Sequence, residues 1–302
     1  MNSNIVAIVV TYNRLELLKE NIASLLAETQ RLDILLIDNA STDGTREYVT
    51  GMHNPYIIYE NTGKNLGGSG GFSWGIRRAT ELGYTYGWIM DDDSIPEPTA
   101  LEKVLDVADR CKNFSFLSSV VYWSDGTIFP MNRPTMERMS NEHIDAVRHN
   151  KVIPIESASF VGCFFPLRLV KSVGLPIAEF FIYGDDVEYT QRLRKEGPAY
   201  WIIDSEIVHK APSKIGADLI TADTDRIGRF YYQMRNGVYL AKKSDKTKEK
   251  LKMAAFYFSK VIGVIRYSER SKFKRIYIAT KGIIDGLRFN PEIKFLGGRK
   301  AE

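Results

Sequence analysis

The first 93 residues alternate between short apolar runs and stretches that carry one apolar face. Residues 5–10 and 34–37 are continuous apolar runs rich in branched residues, which are typical of strands buried on both faces. Between them, leucines and an isoleucine recur at helical spacing. The pattern predicts strands at 5–10, 34–37, 56–60 and 86–90, with helices at 15–26, 45–52 and 72–82. This alternation predicts an α/β fold with an open, mostly parallel sheet flanked by helices.

The remainder of the chain is less regular. Apolar runs predict strands at 116–123, 159–165 and 201–203 and helices at 167–173 and 187–196, whereas the polar residues 130–150 are expected to form a mobile excursion. Beyond residue 224 the pattern is largely helical, with amphipathic segments at 248–266 and 273–287. We therefore predict a sheet domain over residues 1–220 and a helical C-terminal region over residues 221–302.

Polar residues and glycines follow the carboxyl ends of the predicted strands, where open α/β sheets bind their ligands. Thr11, Asn13 and Arg14 follow the first strand, and Asp38 ends the second. A glycine-rich segment at 65–71 follows the third strand, and glycines permit close approach of the backbone to a ligand. Carboxylates complete the set, with Asp91, Asp92 and Asp93 after the fourth strand and Asp185 and Asp186 after the apolar run 180–183.

The three consecutive aspartates, Asp91, Asp92 and Asp93, are the most informative of these groups. Adjacent carboxylates repel one another, and burying them is costly unless a cation compensates their charge. Mg²⁺ and Mn²⁺ prefer oxygen ligands and bridge protein carboxylates to phosphates. The cluster therefore indicates a metal–phosphate site, with a solvated acidic turn that caps a helix near Pro96 as the alternative.

Composition limits the classes of function. The 302 residues can bury a large core, and a hydrophobic fraction of 44% with a charged fraction of 26% is ordinary for a globular protein. A net charge of +4 gives no indication of nucleic-acid binding. Cys111 and Cys163 lack metal-type spacing, and no apolar stretch resembles a signal peptide or a spanning helix. We therefore expect a cytoplasmic protein.

Five ordered motifs together point to one enzyme family. They are Val-Val-Thr-Tyr-Asn-Arg at 9–14, Asp-Asn-Ala-Ser-Thr-Asp-Gly at 38–44, Asn-Leu-Gly-Gly at 65–68, Asp-Asp-Asp at 91–93 and Tyr-Gly-Asp-Asp-Val-Glu at 183–188. Over roughly residues 4–210 the chain thereby resembles the family 2 glycosyltransferases, inverting enzymes of the Rossmann-like GT-A fold that use a metal ion and a nucleotide sugar. The glycine-rich segment, the triple aspartate and Tyr-Tyr-x-x-Arg-Asn at 231–236 are most similar to galactofuranosyltransferases and rhamnosyltransferases of bacterial cell-surface polysaccharides.

For the donor pocket, the resemblance implies contacts from the loops that follow the first four strands. Arg14 would pair with the diphosphate, and Asp38 would accept a hydrogen bond from the base, with an Asx-type turn as the alternative. The glycine-rich segment would form one wall of the pocket rather than a plain flexible turn. The implied contacts with the nucleotide sugar are Thr11, Asn13, Arg14, Asp38, Asn65, Gly67, Gly68, Asp91 and Asp92.

The resemblance also implies a Mg²⁺ or Mn²⁺ cofactor bound by Asp91, Asp93 and His209, with a structural role as the alternative for His209. It makes Asp186 the catalytic base, which would take the proton of the acceptor hydroxyl. Capping of the following helix is the alternative, and it suits Asp185 better than Asp186. Trp201 and Asp185 are candidates for contact with the acceptor, although Trp201 is equally compatible with a core position.

The leading hypothesis is an inverting glycosyltransferase that uses a UDP-sugar such as UDP-galactofuranose, with a dTDP-sugar such as dTDP-rhamnose as the alternative donor. The acceptor would be a glycan, polyprenyl-linked, at the cytoplasmic face of the membrane. The basic flanks of the C-terminal helices favour peripheral contact with an anionic membrane. Packing on the catalytic domain, or on a second subunit of a homo-oligomer, is the alternative.

Two other functional classes are considered. A nucleotidyltransferase also uses paired aspartates and a metal, but it would carry a glycine-rich, basic loop directly after the first strand, which residues 11–14 do not provide. A glycan-binding protein on a decayed transferase fold is opposed by the intact Asp91, Asp93 and Asp186.

Overall fold

The computed structural model describes residues 4–138, 140–214, 218–243 and 247–298. The chain divides into two compact units. The sheet unit comprises Met1–Ala178, Asp186–Lys214 and Ile293–Glu302, and the helical unit comprises Glu179–Asp185 and Ile215–Glu292. Within the residues described, no helix combines the length and apolar character needed to cross a bilayer.

The ten strands found among the described residues all belong to the sheet unit. In chain order they are β1 (Ile5–Thr11), β2 (Asp33–Asp38), β3 (Ile57–Asn61), β4 (Tyr86–Asp91), β5 (Ser94–Pro96), β6 (Phe116–Trp123), β7 (Thr135–Met136), β8 (Val152–Ser157), β9 (Cys163–Pro166) and β10 (Ala199–His209). Their order across the sheet is β3-β2-β1-β4-β9-β6-β10-β8-β7, with β5 paired to β10.

The part of the chain that the structure describes contains ten α-helices. Seven of them lie between strands along the chain: α1 (Leu15–Leu26), α2 (Thr45–Gly51), α3 (Gly67–Glu81), α4 (Ala100–Arg110), α5 (Asn141–Asn150), α6 (Val170–Val173) and α7 (Asp185–Arg194). The helical unit contains α8 (Phe230–Lys243), α9 (Thr247–Tyr267) and α10 (Lys272–Arg288).

The first half of the sheet is parallel, as predicted. β1 pairs with β2 and β4, and β2 pairs with β3, all in parallel register. The side chains of β1 alternate between two apolar layers: Ala7 and Val9 pack with α1 and α4, whereas Ile8 and Val10 pack with α3. Burial on both faces explains why this strand is apolar at nearly every position.

The second half of the sheet is mixed. β9 inserts antiparallel between β4 and β6, and β8 pairs antiparallel with β10, which is itself parallel to β6. The strand predicted at 159–165 is observed as the shorter β9 at Cys163–Pro166, because pairing with β4 begins only at Cys163, opposite Ile89. The excursion predicted at 130–150 is wrong, because β7 pairs with β8 and Ser140 caps α5.

The glycine-rich segment is a helix from Gly67 onward, so the predicted loop is wrong over most of its length. The cause is long-range packing. A Cβ atom at Gly71 would lie 2.5 Å from Val10 Cγ1, and one at Gly75 would meet Ile8 and Ile37. The glycines therefore let α3 approach the sheet more closely than any side chain would permit.

The helical unit has its own core, formed mainly by Phe230, Met234, Val264 and Ala279. α8 and α10 pack closely because α10 has glycines at the contact. A Cβ atom at Gly282 would lie 2.7 Å from the carbonyl oxygen of Tyr231. The predicted helices at 248–266 and 273–287 are confirmed as α9 and α10 within one residue at each end.

One side chain of the helical unit organises a strained segment. Phe181 and Tyr183 have positive φ angles of 63° and 71°, a costly conformation for residues with a side chain. The amide of Asn236 donates to the carbonyls of Phe180, Ile182 and Tyr183 at 3.0, 3.0 and 2.9 Å. These bonds compensate for the strain and fix the backbone just before Asp185.

The end of the described chain returns to the sheet unit. The Leu175 N–H donates to the Lys294 carbonyl at 2.8 Å, and Leu296 packs on the core layer that contains α3. A Cβ atom at Gly174, which has a φ of 75°, would lie 2.9 Å from the Lys294 carbonyl oxygen. The residues after 292 are therefore part of the sheet unit, although the helical unit precedes them in sequence.

Candidate functional site

The acidic triplet and His209 meet at one edge of the sheet unit. Val10 of β1 pairs with Asp91 of β4, so the carboxyl ends of these strands lie side by side. A turn after β4 leads into β5, whose Ser94 pairs with His209 at the end of β10. The Lys210 N–H also donates to the Asp93 carbonyl at 2.8 Å. Two distant parts of the chain thus form one cluster.

Asp91, Asp93 and His209 present their potential ligand atoms within 4.8 Å of one another. Asp93 and His209 are buried and Asp91 is half-buried. Two carboxylates and one imidazole provide the oxygen and nitrogen donors that Mg²⁺ and especially Mn²⁺ accept. The donor set of the predicted metal site therefore fits a divalent cation.

Asn132 sets the orientation of the His209 ring. Its amide nitrogen donates to the Ser159 hydroxyl at 2.8 Å, so its oxygen faces His209 Nδ1 at 2.7 Å and must accept. The proton is therefore on Nδ1, and His209 Nε2 points at Asp93 Oδ1 across 3.0 Å. Two acceptors this close require a cation between them, either a proton or a metal ion.

The direction of each pKa shift in the cluster agrees with that arrangement. Burial alone would lower the pKa of His209, but the hydrogen bond and charge of Asp93 outweigh burial and raise it. Burial would raise the pKa of Asp93, yet His209 and Arg14 together hold that pKa below its usual value. Burial and the negative charge of Asp93 raise the pKa of Asp91 to about 7. The site is therefore electrostatically prepared for a positive ion.

Arg14 forms hydrogen bonds with both Asp92 and Asp93. One guanidinium nitrogen donates to Asp92 at 3.1 Å and to Asp93 at 2.6 Å, and the Thr11 hydroxyl donates to Asp92 at 2.7 Å. Burial raises the pKa of Asp92 to about 6 despite the opposing charge of Arg14. Asp92 thus holds Arg14 and Thr11 beside the candidate metal ligands. The structure brings these three residues together, and their contact with a nucleotide sugar stays a prediction.

Asp38 lies at the end of β2, next to Thr11 in the parallel register. It is fully buried, and it accepts hydrogen bonds from the Tyr59 hydroxyl at 2.6 Å, the Asn61 amide at 3.1 Å and the Ser41 N–H at 2.8 Å. The bond to Ser41 spans three residues, one more than the Asx-type turn considered as an alternative. Because Asp38 has none of its surface exposed, contact with a nucleotide base would require its surroundings to open.

Asn13 and the glycine-rich segment flank that strand end. Asn13 has a positive φ of 53°, and its side-chain oxygen accepts from the Thr42 N–H at 2.7 Å. The Asn65 side chain accepts from the Gly67 N–H at 2.8 Å, at the start of α3. A Cβ atom at Gly68 would meet nothing within 4 Å, so this part of the segment faces open space.

Asn39 is a further polar residue of this region, and it was not among the predicted site residues. It is buried, and its amide donates to the Gly67 carbonyl at 3.0 Å. Its own N–H donates to the Thr11 carbonyl at 2.9 Å. Asn39 therefore links the loops after β1, β2 and β3. Its place in the motif at 38–44, directly after Asp38, is the sequence signal that could have indicated it.

Asp186 lies in α7 and belongs to the sheet unit. Burial raises the pKa of Cys163 in β9, and the negative charge of Asp186 raises it further. Cys163 pairs with Ile89 of β4, and Asp91 lies two residues further along the same face of that strand. Asp186 accepts from the Val187 N–H at 2.8 Å, and burial raises its pKa to about 6.

The two candidate acceptor contacts occupy different environments. Trp201 has 7% of its surface exposed, packs in the core layer that contains α3, and donates its indole N–H to the Ser119 carbonyl at 3.1 Å. The core position, left open by the sequence, describes this ring, which has no free face for stacking on a sugar. Asp185 is buried as the first residue of α7.

Solved structures share the fold. The Staphylococcus aureus TarS fragment 1–349 aligns over 94% of this chain and 80% of its own, with a TM-score of 0.61 and 16% identity. The mannosyltransferase PcManGT from Pyrobaculum calidifontis, solved with GDP-Man and Mn²⁺, aligns over 96% and 76% with a TM-score of 0.56 and 16% identity. The chain therefore has a mixed α/β sheet flanked by helices that resembles GT-A glycosyltransferases, with helices at its C-terminal end.

Sequence relatives agree with the fold. Galactofuranosyltransferase GlfT1 of Mycolicibacterium smegmatis is 28% identical over 78% of this chain and 82% of its own. N-acetylglucosaminyl-diphospho-decaprenol L-rhamnosyltransferase of Mycobacterium tuberculosis is 27% identical over 70% and 77%. The pattern that defines Glycosyl transferase family 2 matches residues 6–170, more than half of the chain. The chain belongs to glycosyltransferase family 2.

Proposed function

We propose that this family 2 glycosyltransferase transfers galactofuranose from UDP-galactofuranose to a lipid-linked glycan, with inversion at the anomeric carbon. The observation that carries the proposal is the cluster of Asp91, Asp93 and His209, whose ligand atoms lie within 4.8 Å at the carboxyl ends of the strands. The donor sugar is assigned from the GlfT1 relatives, which match most of this chain. Transfer of rhamnose from dTDP-rhamnose is the second candidate, favoured by the rhamnosyltransferase relative.

In this proposal Asp91, Asp93 and His209 hold Mg²⁺ or Mn²⁺. When bound, the ion stabilises the charge that develops on the departing nucleoside diphosphate. Asn132 keeps His209 in the tautomer whose Nε2 is available as a ligand. Thr11, Asn13 and the segment from Asn65 to Gly68 would line the nucleotide pocket.

Arg14 would serve the phosphates as well as the carboxylates. Its guanidinium is shared between Asp92 and Asp93, and their charges outweigh the effect of burial and raise its pKa further. A guanidinium stays positive throughout the working pH range and can bind a phosphate oxygen at the same time. Arg14 would thereby orient the diphosphate beside the metal ligands.

Asp186 would be the catalytic base. Its pKa of about 6 leaves the carboxylate ionised at neutral pH but basic enough to accept the proton of an acceptor hydroxyl. The hydroxyl oxygen would attack the anomeric carbon opposite the phosphate oxygen, so the C–O bond forms as the bond to the diphosphate breaks. The proton would end on Asp186 and the diphosphate would leave with the bonding electrons.

The acceptor and the location of the enzyme are assigned from the helical C-terminal region, residues 221–302. Exposed apolar side chains and lysines alternate along α9 and α10, as in helices that lie in a membrane interface. We place the enzyme peripherally at the cytoplasmic face of the membrane, where a polyprenyl-linked glycan would reach residues 1–220, the proposed catalytic domain.

Calorimetric titration of UDP tests the site. UDP should bind in the presence of Mn²⁺ and weaken at least tenfold when the metal is chelated, because the phosphates would share it with the protein. Asp93→Ala should remove this metal dependence, whereas Asp106→Ala, which deletes an exposed carboxylate of α4, should not. Equal affinity for UDP with and without metal would contradict the proposal. Turnover of UDP-galactofuranose against dTDP-rhamnose then decides the donor.

A further inference from the structure

The helical unit contains a cavity of about 520 Å³ between α8, α9 and α10. Its lining is almost entirely apolar, with Val238, Met253, Tyr257, Val261 and Ile283 among the side chains that form it. A volume of this size is that of a small-ligand pocket. A lining with so few polar groups favours a hydrocarbon ligand, because a polar ligand would lose its hydrogen bonds with water on entry.

The cavity continues onto an exposed apolar surface. Phe258, Ile284 and Leu287 line it and are themselves exposed, Phe258 with 69% of its surface. Leu251, on the same helix as Phe258, is also exposed. Apolar surface that leads from solvent into an apolar cavity offers a hydrocarbon chain a continuous path.

Two lysine side chains bring positive charge to the same cavity. Lys242 and Lys250 both line it, and Lys250 is exposed. The Lys242 ammonium donates to the carbonyls of Leu287 and Phe289 at 2.7 and 3.2 Å, which holds it at the end of α10. A ligand that combines a hydrocarbon chain with an anionic head would satisfy both the lining and these cations.

We propose that this cavity takes one acyl chain of an anionic membrane phospholipid, with the phosphate beside Lys250. The inference rests on the membrane contact assigned above to the C-terminal region, and it adds a defined site to a general surface attraction. Charge argues against a second copy of this chain as the occupant, because the copies would bring Lys242 and Lys250 towards like charges.

Photolabelling of the full chain on phosphatidylglycerol vesicles tests the site. The probe is phosphatidylglycerol with a diazirine in the middle of one acyl chain, and labelled residues are identified by mass spectrometry. Ala254 lines the cavity, whereas Ala255 is its exposed neighbour outside the lining. Ala254→Trp should reduce labelling of Met253 and Tyr257 at least fivefold, and Ala255→Trp should leave it within twofold.

Several outcomes would overturn the proposal. These are labelling confined to exposed residues such as Phe273, equal labelling in both tryptophan variants, labelling of the cavity by an isoprenoid phosphate probe but not by phosphatidylglycerol, and protection of the cavity by self-association. Circular dichroism checks that each variant is folded, and Val261→Trp provides a second cavity-filling variant.

A soluble probe separates this proposal from the membrane contact on which it rests. Dansyl-undecanoate, an anionic chain used below its micellar concentration, should bind the protein without vesicles and lose affinity at least fivefold in Ala254→Trp. If it binds in this way while vesicles do not, the cavity stands and the membrane location falls. If vesicles bind but neither probe enters the cavity, the acyl-chain site falls and the membrane location stands.

Discussion

The sheet unit buries carboxylates at one edge, whereas the helical unit exposes large apolar side chains to water. At the sheet edge, Asp92 and Asp93 are buried although they carry ionisable groups. On the helical unit, Phe273 has 88% of its surface exposed although it is a large apolar residue. Arg14 and His209 offset part of the cost of burying the carboxylates, whereas the exposed aromatic ring stays in contact with water. The ligands proposed above differ accordingly, a cation with phosphate at the sheet edge and a lipid at the helical unit.

Replacement of the proposed base should have the largest effect, because it should abolish most turnover without changing the membrane binding proposed for the helical unit. Asp186→Asn should lower kcat by about 10²- to 10⁴-fold, since a positioned base contributes that much. Binding of UDP with Mn²⁺ and binding to anionic vesicles should both stay within about twofold of wild type, because neither uses Asp186. Steady-state kinetics, calorimetry and vesicle co-sedimentation measure the three properties. Retained turnover would remove Asp186 from the role of base.

Loss of the Asn132 amide should have a smaller effect than loss of the base, and that effect should be on the affinity for the metal ion. Asn132→Ala removes the acceptor for His209 Nδ1–H, so the ring loses its fixed tautomer and orientation. The affinity for Mn²⁺ should fall by about 10- to 100-fold, as for other residues that support a metal ligand. Metal titration followed by UDP binding measures the change. Arg133→Ala, one residue further along, serves as the control, and equal metal affinity in both variants would contradict the assignment.

The pKa of Asp186 gives the activity a defined dependence on pH. The ionised form is the base, and its pKa is about 6, so kcat should fall about tenfold per unit below pH 6 and level off above about pH 7. A folded-state pKa above the ordinary value also means that stability is lost as pH rises through it. Asp186→Asn should therefore have a higher Tm than wild type at pH 8. A flat rate between pH 5 and pH 8 would contradict this behaviour.

The smallest expected effect concerns the exposed apolar surface. Phe273→Ser should weaken binding to anionic vesicles about three- to tenfold, because a partly inserted aromatic ring contributes part of its full burial energy. Leu26→Ser, a similar change at an exposed position of α1, should leave vesicle binding unchanged. Turnover of a soluble acceptor should be the same in both variants. An equal loss of vesicle binding from the two changes would erase the contrast between the two units.

The pattern of apolar and polar residues predicted those strands and helices whose formation depends on neighbouring residues in the sequence. The buried runs became β1 and β2, and the amphipathic stretches became α1, α9 and α10. The grouping of Asp91 and Asp93 at a sheet edge followed from strand alternation alone. His209 was assigned by resemblance, and the register of β5 with β10 is what brings it to the triplet.

Long-range contacts decided the rest. The start of α3 depends on how closely Gly71 and Gly75 approach β1, which no local propensity encodes. Asn132 lies in a segment that looked irregular, and its role arises from partners at His209 and Ser159, far away in sequence. The complete burial of Asp38 likewise depends on donors supplied by the neighbouring strand β3.

The return of the chain after residue 292 makes the helical unit an insert within the sheet unit rather than an appendage to it. Leu175 and Leu296 belong to one packed body although the sequence of α8, α9 and α10 separates them. A truncation that ends the chain at residue 292 would thus remove the Leu175–Lys294 hydrogen bond and the packing of Leu296 from the sheet unit, while leaving α8, α9 and α10 in place. Deletion of the helical unit from the gene would therefore require joining the segments on either side of it, because a stop codon before α8 would also remove part of the sheet unit.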